Sequence, residues 1–186
     1  MSNIVFEGKT ENGLGILIRY PTESDLQAML NFINELSAER TFVRNQGVVF
    51  TLEQEKKFLD DHIKKISDKK IMQLLAFSDS KLVGVSGVDM KDRAQSHVGY
   101  FGISVEKDFR SKGVGSKLME IIINEAEKNL PNLKIIVLTV FANNPVAEEM
   151  YKKIGFKEYG RLPKGITHRD KFVDEIYMYK NVGEGF

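Results

Sequence analysis

The stretch FRSKGVGSKL, Phe109 to Leu118, sets Gly113 and Gly115 among three cations, Arg110, Lys112 and Lys117. That composition suits a phosphate group. Glycine removes the side chain that would hold an anion off the backbone, and it permits positive φ, so successive N–H groups can form a concave nest. If a helix begins here, its free N–H groups and its dipole add to the attraction. The same residues also fit a solvated turn with a glycine at a helix start, and the segment alone leaves both readings open. Two familiar phosphate loops are excluded letter by letter. A P-loop needs a second glycine directly before Lys117, where Ser116 stands, and a dinucleotide-binding loop needs glycine or alanine at Leu118.

Other chemistry is sparse. The chain has no cysteine, which removes thiolate catalysis, disulfides and cysteine–metal sites together. His62, His97 and His168 lie too far apart to read as a zinc set, so no metal is expected. Ser86, in GVSGV, lacks the glycine placement of a nucleophile elbow.

The elements around the glycine pair place it between a strand and a helix. Leu14 to Tyr20 predicts a strand, and Pro21-Thr22 opens a helix with Leu26, Met29, Leu30, Ile33 and Leu36 on one stripe. A second helix, about Leu52 to Asp68, sets Phe58, Leu59, Ile63 and Ile66 against a lysine face, the pattern of a core helix with a solvated side. Three strands follow, at Ile71–Phe77, Lys81–Met90 and His97–Val105, and they read as an antiparallel meander. After the glycines a helix runs from Val114 to about Asn129, then a buried strand KIIVLTVF, then the helix NPVAEEMYKKI. Asn144 is its N-cap, Pro145 fills its first turn and Gly155 stops it. Strands near Phe156–Leu162 and Lys171–Tyr179 end the chain, with KGITHRDK, Lys164 to Lys171, as a hairpin loop between them. The expected architecture is a single α/β (α+β) domain over residues 1–186, a mixed, mostly antiparallel sheet of about seven strands flanked by about four helices.

The totals agree with one compact domain. At 186 residues, roughly 70% of the unfolded chain's surface can be buried. Twenty-seven Lys plus Arg against 26 Asp plus Glu leave a net charge of +1, which argues against a nucleic-acid partner. Glu7 and Glu11 interrupt the apolar start, and no stretch approaches about 18 uninterrupted apolar residues, so no membrane association and a cytoplasmic location are expected.

Arg110-Ser111-Lys112-Gly113-Val114-Gly115 resembles the (Gln/Arg)-x-x-Gly-x-(Gly/Ala) signature of the GNAT superfamily of N-acetyltransferases. The likeness extends along most of the chain. ISVEKDFRSKGVGSKL is similar to the family's strand, loop and helix for coenzyme A, ANNPVAEEMYKKIGF to its second motif, and ILIRYPTESDLQAM to its first strand and helix. The resemblance implies acetyl-CoA as cosubstrate, with its pyrophosphate on the backbone N–H groups of Arg110, Ser111, Lys112, Gly113, Val114 and Gly115, and with Ser116 at the helix start. It implies that the strand holding Ile103 and Val105 splays from its neighbour and bonds the pantetheine arm. Asn144 would bond the same arm, although capping its own helix is an equal claim on it. Tyr151 would place its hydroxyl near the coenzyme sulfur as general acid, where its spacing alone fits a core tyrosine.

Acetyl transfer to an amine needs an unprotonated nucleophile, a donor for the carbonyl oxygen and a proton for the departing thiolate. Without a cysteine or an activated serine, direct transfer is expected rather than an acyl-enzyme. Many GNAT relatives carry a glutamate where this chain has Tyr100, which leaves the base open among His97, Glu39, Asp89 and a water chain. The acceptor is expected to be an amine-bearing small molecule, amino acid or peptide, bordered by Lys164–Lys171 and the Glu39 to Arg44 region. A weakly catalytic coenzyme-binding sensor on the same fold is the alternative, and a homodimer is left open.

Overall fold

The structure, a computed structural model, describes residues 3–183. Its strands are β1 (Ile4–Lys9), β2 (Gly15–Arg19), β3 (Ile71–Ser78), β4 (Lys81–Met90), β5 (Val98–Val105), β6 (Ile135–Phe141), β7 (Lys157–His168) and β8 (Lys171–Asn181). Its helices are α1 (Leu26–Ala38), α2 (Leu52–Ser67), α3 (Val114–Asn129) and α4 (Pro145–Lys153). The strands form one sheet in the order β1-β2-β3-β4-β5-β6-β8-β7. Every neighbouring pair is antiparallel except β5 and β6.

Strand alternation sorts the core into two layers. β3 is buried along its whole length. Met72, Leu74 and Ala76 face α3, whose inward residues Val114, Leu118, Met119, Ile122, Ile123 and Ala126 follow the helical period. Leu75 and Phe77 face the other way, onto Met29, Phe32 and Leu36 of α1 and Leu59 of α2. Leu118 is fully buried, and such a side chain contributes ~1.5–3 kcal/mol by leaving water. Leu118→Ala would therefore loosen the helix that carries the glycine pair.

The helix starts are chemically specified. Thr51 accepts from Gln54 N–H at 3.3 Å and the Gln54 side chain answers Thr51 N–H at 2.9 Å, a reciprocal cap for α2. Asn144 caps α4 by accepting from Ala147 N–H at 3.3 Å. At the entry to α1, burial pushes Asp25 up, but hydrogen bonds from Arg19 and Thr22 outweigh that and hold it below the usual carboxylate range.

Two parts of the sheet differ from the sequence expectation. There are eight strands rather than seven, because Ile4–Lys9 pairs with β2 as a half-exposed edge whose apolar pattern is weak. β7 also continues to His168, so Lys164–His168 is strand and only Arg169-Asp170, both at positive φ, make the hairpin turn. The β7–β8 register shifts between Leu162 and Ile166, a bulge that Pro163 and Gly165 accommodate. His97 lies just before β5.

Candidate active site

β5 and β6 pair only at Val98, Gly99 and Tyr100 against Ile135, Ile136 and Val137. Beyond that point the strands separate. β5 keeps its β4 partner up to Val105, where Ile103 lies opposite Ser86 and Val105 opposite Gly84, while β6 turns to β8 up to Phe141. The edge of β5 from Phe101 to Val105 thus has no strand beside it on the β6 side. The gap opens toward the end of β5 that leads into the glycine-bearing loop.

That loop ends with Ser111 at φ 59° and Gly113 at φ 80°, and α3 starts at Val114. Among the described residues, the backbone N–H groups of Ser111, Lys112, Gly113, Val114, Gly115 and Ser116 find no acceptor, and the first to be paired is Lys117 N–H, on Gly113 C=O at 3.1 Å. Arg110 differs from its neighbours. Its N–H meets Lys107 C=O at 3.3 Å, and its guanidinium bonds Val105 C=O at 3.0 Å and Glu39 at 2.8 Å. Lys117 pairs with Glu120 at 2.8 Å, and exposed Lys112 sets its Nζ over the Phe109 ring at 5.1 Å. The unpaired N–H groups of this turn lie among the exposed side chains of Ser111, Lys112 and Ser116. A Cβ on Gly115 would make only ordinary contacts, 3.6 Å to Met150 and Val105, so internal packing does not require a glycine there.

Tyr151, on α4, is 8% exposed and packs edge-on against Phe101 and Phe156. It is a core tyrosine by packing, yet its hydroxyl has no hydrogen-bond partner among the described residues. Burial, with a smaller contribution from Tyr100, pushes it up to about 12. The phenol therefore stays protonated at neutral pH and can donate. Asn144 uses Oδ1 for its cap and keeps its NH₂ group available.

The profile of the Acetyltransferase (GNAT) family matches residues 30–156. The chain is 36% identical over 122 residues to the L-amino acid N-acetyltransferase AaaT of Escherichia coli K12, covering 63% of this chain and 75% of that protein. The chain belongs to the GNAT acetyltransferase family. A GNAT-family acetyltransferase from Streptococcus pneumoniae superposes with a TM-score of 0.82 at 30% identity, covering 90% of this chain and 99% of that one. The fold also matches yncA from Salmonella typhimurium, solved with its cofactor acetyl-CoA, at a TM-score of 0.80 and 14% identity, over 92% and 96% of the two chains. The protein is thus an acetyl-CoA-dependent N-acetyltransferase with an amine-bearing acceptor. Among its described residues no helix is long and apolar enough to cross a membrane.

The second wall of this acetyltransferase's cleft was only partly visible in the sequence. The connection between α1 and α2 crosses to the far strands: Arg44 Nη2 bonds Glu175 at 2.7 Å and Thr139 at 3.1 Å, and Tyr177 donates to Glu175 at 2.9 Å. Thr139 in turn meets the Tyr100 hydroxyl at 3.0 Å. Glu175 is buried, whereas Arg44 leaves 67% of its side chain exposed. His168 sits between Phe42 and Phe141 with Nδ1 3.0 Å from the Asn143 amide. Arg169 Nε reaches Arg40 C=O at 3.4 Å and Phe42 packs on His168, so the segments Glu39 to Arg44 and Lys164–Lys171 meet.

The carboxylates and histidine considered as bases separate clearly. Glu39 is tied to Arg110, His97 lies at the closed end of β5, and Asp89, on β4, pairs with Tyr100 of β5 and is exposed. Nothing local marks Glu175: it is one acidic residue in a strand, and only the β6–β8 register and a loop over 100 residues away bring Arg44 and Tyr177 to it.

Proposed function

We propose that the enzyme transfers the acetyl group of acetyl-CoA directly to the primary amine of a free amino acid or similar small acceptor. The observation that carries this reading is continuity. An array of unpaired N–H groups from Ser111 to Ser116 leads into the open β5 edge at Val105 and Ile103, and that edge ends at Phe101, against whose ring Tyr151 packs. The diphosphate rests on the N–H array and the pantetheine amides lie along β5, with the Asn144 amide on the same arm. Val105 C=O already holds Arg110, so Ile103 contributes more to that arm.

The amine lone pair attacks the thioester carbonyl, a backbone N–H on the free β5 edge stabilises the oxyanion, and the C–S bond breaks. Tyr151 donates its proton to the leaving thiolate. The ammonium proton passes through water to Glu175, the buried carboxylate held by Arg44 and Tyr177. An amino-acid acceptor is supported by the name of the AaaT relative and by Arg44, whose exposed guanidinium offers a free carboxylate a partner at the cleft. A cytoplasmic location is consistent with both substrates.

Thiol release from acetyl-CoA, measured across a panel of amino acids, alkyl amines and peptides, tests this. We expect release that depends on the acceptor and favours free amino acids. Coenzyme binding without acceptor-dependent release would contradict it.

A further inference from the structure

The β1–β2 hairpin lies against the glycine-bearing loop, roughly a hundred residues away in sequence. Thr10 Oγ1 donates to Lys112 C=O at 2.7 Å, and Asn12 Nδ2 donates to Ser111 C=O at 2.8 Å. The approach is close enough that a Cβ on Gly113 would stand 3.0 Å from Thr10 Cβ. Thr10 is 4% exposed, and its hydroxyl also accepts from Leu14 N–H at 3.2 Å, so one side chain shapes the hairpin turn and grips the loop.

The consequence follows from peptide geometry. In a planar trans peptide the C=O and the following N–H point in opposite directions. Drawing the Ser111 and Lys112 carbonyls toward the hairpin turns the N–H groups of Lys112 and Gly113 the other way, out of the loop. It also holds Ser111 at φ 59°, a left-handed conformation that costs a non-glycine residue ~1–2 kcal/mol. Neither Thr10 nor Asn12 belongs to the glycine-bearing segment.

We infer that Thr10 and Asn12 are positioning residues for the diphosphate, acting through the peptides of Ser111 and Lys112. The inference rests on the proposed seat of the diphosphate at residues 111–116. Its specific content is that preorganised N–H groups, rather than the loop's cations, carry donor affinity, and that a hairpin outside the motif sets them.

The test compares donors with and without a diphosphate. CoA binding is measured by calorimetry, and turnover with acetyl-CoA and with S-acetylpantetheine, for the wild type, Thr10→Val, Thr10→Ser and Asn12→Ala. We expect Thr10→Val and Asn12→Ala each to weaken CoA by about tenfold, the scale of one lost hydrogen bond. Thr10→Ser should bind as the wild type does, and kcat/KM for S-acetylpantetheine should be unchanged throughout. Asn12 is exposed at a turn, so its variant separates bracing from a folding defect. Wild-type affinity in both Thr10→Val and Asn12→Ala, or equal losses with the two donors, would overturn the inference. Amide shifts of residues 111–116 on adding CoA to the wild type separate the two levels: if they move and the variants bind normally, only the bracing role fails, and if they do not, the diphosphate seat itself fails.

Discussion

On the side of the cleft formed by residues 109–117 the polar groups include a run of unpaired backbone amides, while on the side formed by residues 39–51, β6 and β8 they are side chains. The loop side holds its cations in internal contacts, Arg110 on Glu39 and Lys117 on Glu120. The acceptor side leaves Arg44 mostly exposed over a buried Glu175. Backbone recognition suits a donor that never changes, since most side-chain substitutions leave an amide in place. Side chains on a loop and a strand suit an acceptor whose identity distinguishes one family member from another.

If that division is correct, variants on the two sides must fail differently. The largest effect is expected at the chemical step between them. Tyr151→Phe should lower kcat by about 10²-fold or more, with the Kd for CoA unchanged in calorimetry. Because burial raises this phenol to about 12, it stays protonated through the range where activity is measured, and any alkaline loss below about pH 11 should persist in the variant. The sign for stability is the same: a raised phenol adds stability that is fully present below pH about 10 and is lost as pH rises to about 12. Next, Glu175→Gln should lower kcat/KM for the amine by about 10²-fold at unchanged CoA affinity, since it keeps the shape and removes the proton acceptor. A parallel loss of CoA affinity would erase the distinction between the walls.

Much of the donor side was legible because its determinants are local. Gly113, Gly115 and the helical stripe after them lie within one stretch, and their residue types announce a turn and a helix start. Asn144 and Tyr151 are likewise fixed by their spacing along α4. The acceptor side depends on contacts between distant residues, such as Arg44 with Glu175, which no local pattern encodes. Even on the donor side, the hairpin bonds from Thr10 and Asn12 have no local signature for that reason, and the weak pattern of Ile4–Lys9 hid the strand that leads into their turn. The contacts of Arg110 are just as distant in sequence: its side chain joins Glu39 to the end of β5.

Smaller effects sharpen the contrast. Gly113→Ala forces a side chain into a left-handed residue and against Thr10, and should weaken CoA by about tenfold while leaving the KM for the amine unchanged in steady-state assays. Asn144→Ala removes the cap of α4 and should cost ~1 kcal/mol, a fall of about 2–4 °C in Tm by calorimetry. A much larger loss of CoA affinity in that variant would show that the amide serves the coenzyme more than the helix.

The most direct test of a backbone-built donor site is a titration of ¹⁵N-labelled protein with CoA, following individual amide resonances. We expect the largest shifts at Ser111 to Ser116, with Arg110 N–H, already bonded to Lys107, moving less. Unmoved amides at those six positions, with the largest changes anywhere else, would contradict it.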